Sequence, residues 1–97
     1  MQLNMKVKKR EVIYDGKVKQ TYNGQGIVRL KDGHLGERCY IIFPLYREDN
    51  GDDIIVAVDE IRNRGIHPDT NSTCRALLGK EYVGRRCIVV LQDYWKK

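Results

Sequence analysis

Two short stretches decide the fold: GERCYIIF, residues 36–43, and GRRCIVVL, residues 84–91. Each begins with glycine, places Arg-Cys two residues later and ends in four large apolar residues. Short apolar runs rich in β-branched residues are typical of strands that are covered on both faces, or nearly so. We therefore expect residues 38–43 and 86–91 to be the central strands of a β-rich core.

The two stretches belong to an internal repeat with an offset of 48 residues. When residues 23–43 are aligned with 71–91, five of 21 positions are identical, whereas chance predicts roughly one or two. The identical pairs are Asn23/Asn71, Leu30/Leu78, Gly36/Gly84, Arg38/Arg86 and Cys39/Cys87. We predict a single domain over residues 1–97, with copy one at about 11–45, an acidic connector at 46–60 and copy two at about 61–93.

Turn signals divide each copy into short elements. The sequence NGQG at 23–26 follows an alternation of polar and apolar residues and predicts a hairpin with 27–30 as the returning strand. Gly36 and Gly84 are expected to have positive φ, each ending a single helical turn, at 32–35 and 80–83. Asn50-Gly51 predicts a turn that brings residues 54–58 antiparallel to 38–43, and residues 59–64 are interpreted as a short helix.

The composition describes a folded chain with a densely charged surface. Apolar residues make up 41% of the chain and charged residues 32%. No run approaches the roughly 18 apolar residues of a membrane-spanning helix, and no apolar segment follows the N-terminal basic cluster. We expect a soluble, cytoplasmic protein without a membrane partner.

Charge is distributed in three blocks. Residues 1–47 contain ten basic and four acidic side chains, residues 48–60 contain six acidic and no basic ones, and residues 61–97 contain eight basic and three acidic ones. Two basic regions flanking an acidic connector suggest a polyanionic partner, with a merely solvated surface as the alternative. The connector lacks the ligand spacing of a calcium loop.

The cysteines and histidines indicate neither a metal site nor an enzyme. Cys39, Cys74 and Cys87 form no Cys-x-x-Cys motif, and no nucleophile has a recognisable base beside it. Cys39 and Cys87 occupy matched positions, so they form either a disulfide or two small core side chains. His34 and His67 are expected in turns. We predict no catalytic residue, metal or cofactor.

Copy two, NSTCRALLGKEYVGRRCIVVL at 71–91, resembles the AbrB-like swapped-hairpin family, in particular its archaeal transposon-encoded type. The correspondence covers Asn71-Ser72, Leu78, residues 80–85 and the strand 87–91, although Gly79 stands where that family usually has proline. The resemblance implies a mainly β fold in which two tandem swapped-hairpin repeats form a small pseudo-dimeric barrel with short helical turns. Two half-folds in one chain need no second chain to assemble.

The resemblance also implies double-stranded DNA as the partner of a transcriptional regulator of archaeal, mobile-element or viral origin, with homodimer formation as an open option. Basic hairpin arms and turns would neutralise phosphates, and a few side chains would contact base edges. The nucleic-acid-binding candidates are Lys17, Lys19, Asn23, Arg29, Lys31, Arg38, Asn71, Arg75, Lys80, Arg85 and Arg86.

Several candidates have structural alternatives. Arg38 and Arg86 are equally suited to ion pairs with the connector, and Asn23 and Asn71 to forming turns. The N-terminal KVKKR, residues 6–10, is either an arm on DNA or the start of a strand. The connector carboxylates considered as partners of the two arginines are Glu48, Asp52 and Asp53.

Two other functions remain open. One is a protein-interaction module, antitoxin-like or directed at a host, that holds a protein partner at the acidic connector or at QDYWKK, residues 92–97. The other is a binder of RNA or single strands that stacks bases on exposed aromatic side chains. The aromatic residues Tyr40, Phe43 and Tyr82 are expected in the core, whereas Tyr22, Tyr94 and Trp95 are candidates for stacking.

Overall fold

The computed structural model describes residues 3–31, 33–69 and 73–93, and it confirms a mainly β protein built of two antiparallel sheets. The larger sheet contains β1 (Leu3–Lys8), β2 (Val12–Lys17), β5 (Arg38–Asn50), β6 (Asp53–Gly65) and β9 (Arg86–Leu91). The smaller sheet contains β3 (Lys19–Gln20), β4 (Gly26–Lys31), β7 (His67–Pro68) and β8 (Thr73–Leu78). Their strand orders are β1-β6-β5-β9-β2 and β3-β4-β8-β7.

The two apolar stretches form the centre of the larger sheet, as the sequence predicts. β5 begins at Arg38, β9 spans Arg86–Leu91, and the two strands are antiparallel neighbours. Each has strands on both sides, and Ile41, Ile42 and Phe43 are fully buried. Because both faces of this strand pair are covered, a continuous apolar run is favoured over an alternating one.

The pairing registers of both sheets follow the offset of the sequence repeat. Ile41 pairs with Val89 in the larger sheet and Val28 pairs with Ala76 in the smaller one, and in both pairs the residue numbers differ by 48. A register centred on two matched residues is what a twofold axis between the halves of the chain produces. The flanking strands obey the same relation, since Lys17 faces Arg86 and, 48 positions away in each half, Gly65 faces Arg38.

Each half of the chain hydrogen-bonds its leading strand to the other half. β2 pairs with β9, and β6 pairs with the first part of β5. The Val18 N–H donates to the Arg85 carbonyl at 2.9 Å and the Gly84 N–H donates to the Val18 carbonyl at 2.9 Å. Ile66 makes the matching pair of bonds with residues 36 and 37. The halves therefore interlock through backbone bonds as well as through the core.

Two apolar clusters stabilise this arrangement. The larger cluster lies between the sheets and includes Val28, Ala76, Cys39 and Phe43. The smaller one, which includes Val56, covers the other face of the larger sheet. That sheet must curl, because β1 and β2 lie at its two edges yet are joined by a 3₁₀ turn at Lys9–Glu11. Such a turn advances about 2 Å per residue, far less than the roughly 19 Å across five flat strands.

The predicted barrel is wrong for the residues that the structure describes, because the two sheets stay separate and do not close. Val18 and Ile66, where the chain passes from one sheet to the other, bond to turns of the opposite half rather than to a neighbouring strand. The strand ladder is interrupted at both crossings, and the curled sheet joins its edges through a 3₁₀ turn that carries no ladder.

Residues 59–64 were expected to form a helix and instead continue β6, which runs from Asp53 to Gly65. Pairing with β5 along its whole length overrides the local helical signal of this charged segment. The turn at Gly51 forms with φ of 62°, but residues 54–58 pair with the extension of β5 beyond the predicted strand. The expected contact of residues 54–58 with 38–43 is therefore replaced by pairing of 60–65 with 38–43.

The glycine turns match the prediction more closely. Gly36 and Gly84 have φ of 84° and 87°, a region that favours glycine. Lys80–Tyr82 forms a 3₁₀ turn before Gly84, whereas residues 33–36 form a plain turn in place of the predicted helical one, and residue 32 lies outside the described residues. The described helices are three-residue turns, none of which is long and apolar enough to span a membrane. Residues 6–8 of the N-terminal basic segment belong to β1.

Candidate nucleic-acid interface

Four of the predicted DNA contacts share the outer face of the smaller sheet. Val28 and Ala76 at the centre of β4 and β8 pack into the core between the sheets. Side chains one position along each strand therefore point outward. Three of these outward residues are exposed and Arg75 is half-buried. We call the following group the basic face: Lys19, Arg29, Lys31 and Arg75.

A carboxylate holds the two arginines at the centre of the basic face. Arg29 and Arg75 lie directly opposite each other on β4 and β8, where like charges repel. Arg29 Nε donates to Asp69 Oδ2 at 3.0 Å, and Arg75 Nη1 donates to Asp69 Oδ1 at 3.5 Å. Thr73 Oγ1 also donates to Asp69 Oδ2, at 3.3 Å. Asp69 thereby offsets one of two adjacent positive charges and orients both guanidinium groups.

The accessibility of the two arginines differs. The Arg29 side chain is 52% exposed and that of Arg75 is 39% exposed, while Asp69 beneath them is only 9% exposed. Arg75 Nε is buried with no hydrogen-bond partner among the described residues. Both side chains are nonetheless partly exposed, and each guanidinium group keeps terminal N–H donors that Asp69 does not occupy.

Asp69 and His67 belong to this site but are absent from the sequence-based candidates. His67 on β7 pairs with Arg75 and extends the row of basic side chains to the edge of the sheet. One signal for Asp69 is available in the sequence, because it is the only acidic residue between Glu60 and Glu81. A single carboxylate in a basic segment is a sign of a specific ion pair, although its partners depend on the tertiary structure.

Arg85 is engaged within the protein, unlike the arginines of the basic face. Its guanidinium donates to Asp59 at 2.8 Å and to Glu60 at 3.3 Å. The same group lies over the rings of Phe43 and Tyr82, at 4.5 Å and 5.3 Å from the ring centroids. Two carboxylates and two aromatic faces leave Arg85 little free charge for a ligand.

Tyr82 connects this cluster to the core. Its ring is buried and stacks on Phe43 with the centroids 4.9 Å apart, which confirms that both aromatic residues are core residues. The Tyr82 hydroxyl donates to Glu60 Oε2 at 2.5 Å and accepts a bond from Arg62 Nε at 2.7 Å. The hydrogen bond from Tyr82, with a further one from Arg85, lowers the pKa of the Glu60 carboxyl below its usual value. This network joins β6 to the turn before β9.

The remaining basic candidates lie outside the smaller sheet. Lys17 and Arg86 are exposed and pair across β2 and β9 in the larger sheet. Arg38 Nε donates to Asn63 Oδ1 at 2.6 Å. Lys80 is exposed at the start of the 3₁₀ turn. These four residues therefore do not lie on the strands of the smaller sheet that carry the basic face.

The ion pairs considered for Arg38 and Arg86 with the connector are not formed. Arg47, at the start of the connector, instead donates to Asp49 of the same segment and to Asp15 on β2, each at 2.7 Å. The bonds from Arg47 lower the pKa of the Asp49 carboxyl. Because β9 lies between β5 and β2 in the sheet order, the contact of Arg47 with Asp15 also fixes the curl of the larger sheet.

The two asparagine candidates occupy turn positions. Asn23 is exposed at the tip of the hairpin between β3 and β4, where the Gly24 N–H donates to the Thr21 carbonyl at 2.9 Å. Gly24, rather than Asn23, adopts the left-handed conformation in this turn, with φ of 86°. Asn71 lies outside the described residues, as do Tyr94 and Trp95.

All three cysteines are free and buried, so they are core side chains rather than a disulfide. Cys39 pairs with Leu91, four positions beyond Cys87 on β9. Burial raises the pKa of the Cys39 thiol to about 11 and that of Cys87 to about 12. Both thiols stay protonated near neutral pH and are poor nucleophiles there.

A small apolar area is exposed where β5 bends. Leu45 and Tyr46 are 56% and 62% exposed beside a cavity of about 210 Å³, which Asp15 and Arg86 also line. The bend follows Phe43, where the pairing of β5 with β6 shifts register at Pro44. Tyr22, in the hairpin turn after β3, is fully exposed.

No model of a known protein family matches this chain, and comparisons with curated proteins and with solved structures give no significant match. The described residues contain no group of three or more histidine, cysteine or carboxylate side chains arranged to hold a metal ion.

Proposed function

We propose that this protein is a duplex-DNA-binding transcriptional regulator that contacts DNA with its basic face. The observation that carries the proposal is the grouping of Lys19, Arg29, Lys31 and Arg75 on one outward surface of an antiparallel strand pair. Lysine and arginine neutralise phosphates, and arginine also binds guanine through two hydrogen bonds. The described residues place one carboxylate, Asp69, in contact with this group.

The shape of the smaller sheet supports the same function. The major groove of B-DNA is about 12 Å wide and admits a two-stranded antiparallel ribbon. β4 and β8 are six residues each, pair along their whole length and are flanked in the sheet by the two-residue strands β3 and β7, with Arg29 and Arg75 at adjacent outward positions near the middle. Such a strand pair inserts the side chains of Arg29 and Arg75 between the phosphate rows. Lys19 and Lys31, farther from the centre, contact the DNA backbone.

We further propose that the two halves are AbrB-like swapped-hairpin repeats, joined as a pseudo-dimer in one chain. The exchange of β2 and β6 between the halves and the offset of 48 in both sheets support this assignment. Joining two such copies keeps their local concentration high and removes the need for a second chain. A regulator of an archaeon or of one of its mobile elements fits this architecture.

The direct test is fluorescence anisotropy of a labelled mixed-sequence duplex, titrated with the full chain at several salt concentrations. The four cations of the basic face, less the one charge that Asp69 offsets, predict that log affinity falls with log salt at a slope of about −3. In the double variant Arg29→Ala/Lys31→Ala, the slope should become shallower by about two units. Single-stranded DNA and RNA serve as competitors, which separates duplex binding from stacking of bases on Tyr22.

A matched control removes the same charges elsewhere. Lys6→Ala/Arg10→Ala also deletes one lysine and one arginine, both exposed, on β1 and the 3₁₀ turn that follows it. It should leave the slope nearly unchanged. Equal losses in both double variants would show that binding reflects net charge alone, and absent duplex binding would end the proposal.

One observation favours a protein partner as the second candidate. Leu45 and Tyr46 are exposed together on the bend of β5, beside the acidic connector. Exposed aromatic and aliphatic neighbours are common at protein interfaces. This candidate becomes the leading one if the anisotropy titration shows no duplex binding.

A further inference from the structure

The two halves share a backbone register but differ in the side chains that the smaller sheet presents outward. Arg29 and Arg75 face each other one position from the central pair Val28/Ala76. The pair on the other side of that centre is Ile27 and Leu77. Leu77 is the repeat counterpart of Arg29, and Ile27 is the counterpart of Arg75, since each differs by 48. Both arginines of the ribbon therefore lie on the same side of the centre.

The carboxylate that holds the arginines is equally one-sided. The counterpart of Asp69 is Thr21. The backbone is the same at both places, because the Asp69 N–H donates to the Thr73 carbonyl at 3.2 Å and the Thr21 N–H donates to the Gln25 carbonyl at 2.7 Å. The Thr21 hydroxyl accepts a bond from the Gln25 N–H at 3.1 Å, which leaves it within its own turn. One side of the centre thus has an arginine pair bonded to a carboxylate where the other side has aliphatic side chains.

The next outward position along the strands, beyond the arginines, is one-sided in the same direction. Lys31 faces Thr73 on the side of the arginines, whereas the counterpart of Lys31 is Gly79. On the opposite side Lys19 is the one cation of the basic face, paired with the buried Ile27. A lysine there attracts phosphate as a point charge, but it lacks the planar fork of donors with which arginine binds guanine.

We propose that this protein recognises a non-palindromic duplex site. Arg29 and Arg75 contact bases on one side of the centre of the site, and on the other side the protein contacts only the phosphate backbone of the DNA. This inference rests on the proposed DNA-binding function and specifies its substrate. Asp69 acts as a positioning residue, because its carboxylate accepts hydrogen bonds from both guanidinium groups. The twofold backbone alone would instead predict a palindromic site.

The experiment is selection of bound sequences from a randomised duplex pool with the full chain. We expect a motif with guanine preference confined to one half. Each selected guanine, when mutated, should weaken binding roughly fivefold to a hundredfold. Arg29→Lys/Arg75→Lys, which keeps both charges, should lose the guanine preference while the salt dependence stays close to that of the wild type.

The outcomes separate the two proposals. Lys19→Ala is the control on the opposite side, and it should weaken binding to all sequences evenly without changing the motif. A palindromic motif, or a motif unchanged in the Arg29→Lys/Arg75→Lys variant, overturns the inference but leaves duplex binding intact. No enrichment of any duplex over the starting pool, together with no salt-dependent anisotropy change, overturns the proposed function itself. Thermal melting of each variant checks that it is folded.

Discussion

The two sheets differ in what surrounds their arginines. Arg47 and Arg62 of the larger sheet and Arg85 in the turn before β9 are each ion-paired with carboxylates of that sheet, and Arg85 also covers two aromatic rings. In the smaller sheet Arg29 and Arg75 share one carboxylate, Asp69. The same residue type therefore stabilises the fold in one sheet and presents unpaired donors in the other.

This difference shows why net charge alone does not locate a binding surface. The acidic connector, residues 46–60, supplies the carboxylates that pair with Arg62 and Arg85, because β6 brings Asp59 and Glu60 against the turn before β9. Among the described residues, the ion pairs of the connector do not include a side chain of the smaller sheet. Its positive charge is therefore offset within the described residues by Asp69 alone.

The largest expected effect is on the aromatic centre of the larger sheet. Phe43→Ala removes a fully buried ring that stacks on Tyr82 and lies under Arg85. Truncation of a buried phenylalanine costs about 3 to 5 kcal/mol. Urea denaturation should show this loss in the free energy of unfolding. A loss below about 1 kcal/mol would contradict the assignment of Phe43 to the core.

The comparison of the sheets is tested most sharply by a pair of matched arginine variants. Arg85→Ala should lower the free energy of unfolding by about 1 to 2 kcal/mol, because it removes two ion pairs and two ring contacts. Arg29→Ala should change stability by no more than about 0.5 kcal/mol and weaken duplex binding instead. Denaturation and anisotropy are measured on both variants. The opposite assignment of effects would reverse our interpretation of the two sheets.

Acid should weaken the larger sheet through Glu60. Its folded-state pKa lies below the ordinary glutamate value of 4.5, so the unfolded chain binds the proton more readily. The stabilisation is therefore present above pH 4.5 and is lost as the pH falls through the folded-state pKa. Tyr82→Phe removes the hydrogen bond that contributes most to the shift. Melting temperatures measured from about pH 3 to 7, in steps of about one pH unit, should fall less steeply with acid in Tyr82→Phe than in the wild type.

A smaller effect is expected from the single carboxylate of the basic face. Asp69→Asn removes the charge between Arg29 and Arg75 and leaves their repulsion unscreened, which should cost about 1 kcal/mol of stability. The salt dependence of duplex binding should become steeper by about one unit, because one more cation is free to neutralise a phosphate. Unchanged salt dependence would show that Asp69 does not offset the charge of the face.

The smallest perturbation is a chemical probe of the core thiols. Cys39, Cys74 and Cys87 are buried and free, and burial raises the pKa of two of them. A thiol reagent such as Ellman's should react with none of them in the folded protein and with all three in denaturant. Reaction of a single thiol in denaturant would instead indicate a disulfide.

Local patterns in the sequence predicted much of the fold. The apolar runs identified the centre of the larger sheet, and Gly36 and Gly84 were placed correctly at positive φ because few other residues tolerate that conformation. The predicted helix at 59–64 was wrong, since a charged segment with weak local preference follows the strand it pairs with. The barrel was wrong because the strand ladder breaks at Val18 and Ile66.

The candidate site could be predicted only as a set of basic residues. The sequence alone determined the two apolar strand motifs, the 48-residue repeat, the glycine turns and the three charge blocks, because each depends on residues that are near in the chain or matched in type. The tertiary structure decided that each half pairs with the other and that Arg85 forms ion pairs with the connector's carboxylates. It also decided that Arg29 and Arg75 both pair with Asp69. Those contacts join residues up to 78 positions apart, as in the pair Val12 and Val90 (90 − 12 = 78), and the register of long-range strand pairing, which local preference does not specify, brings them together.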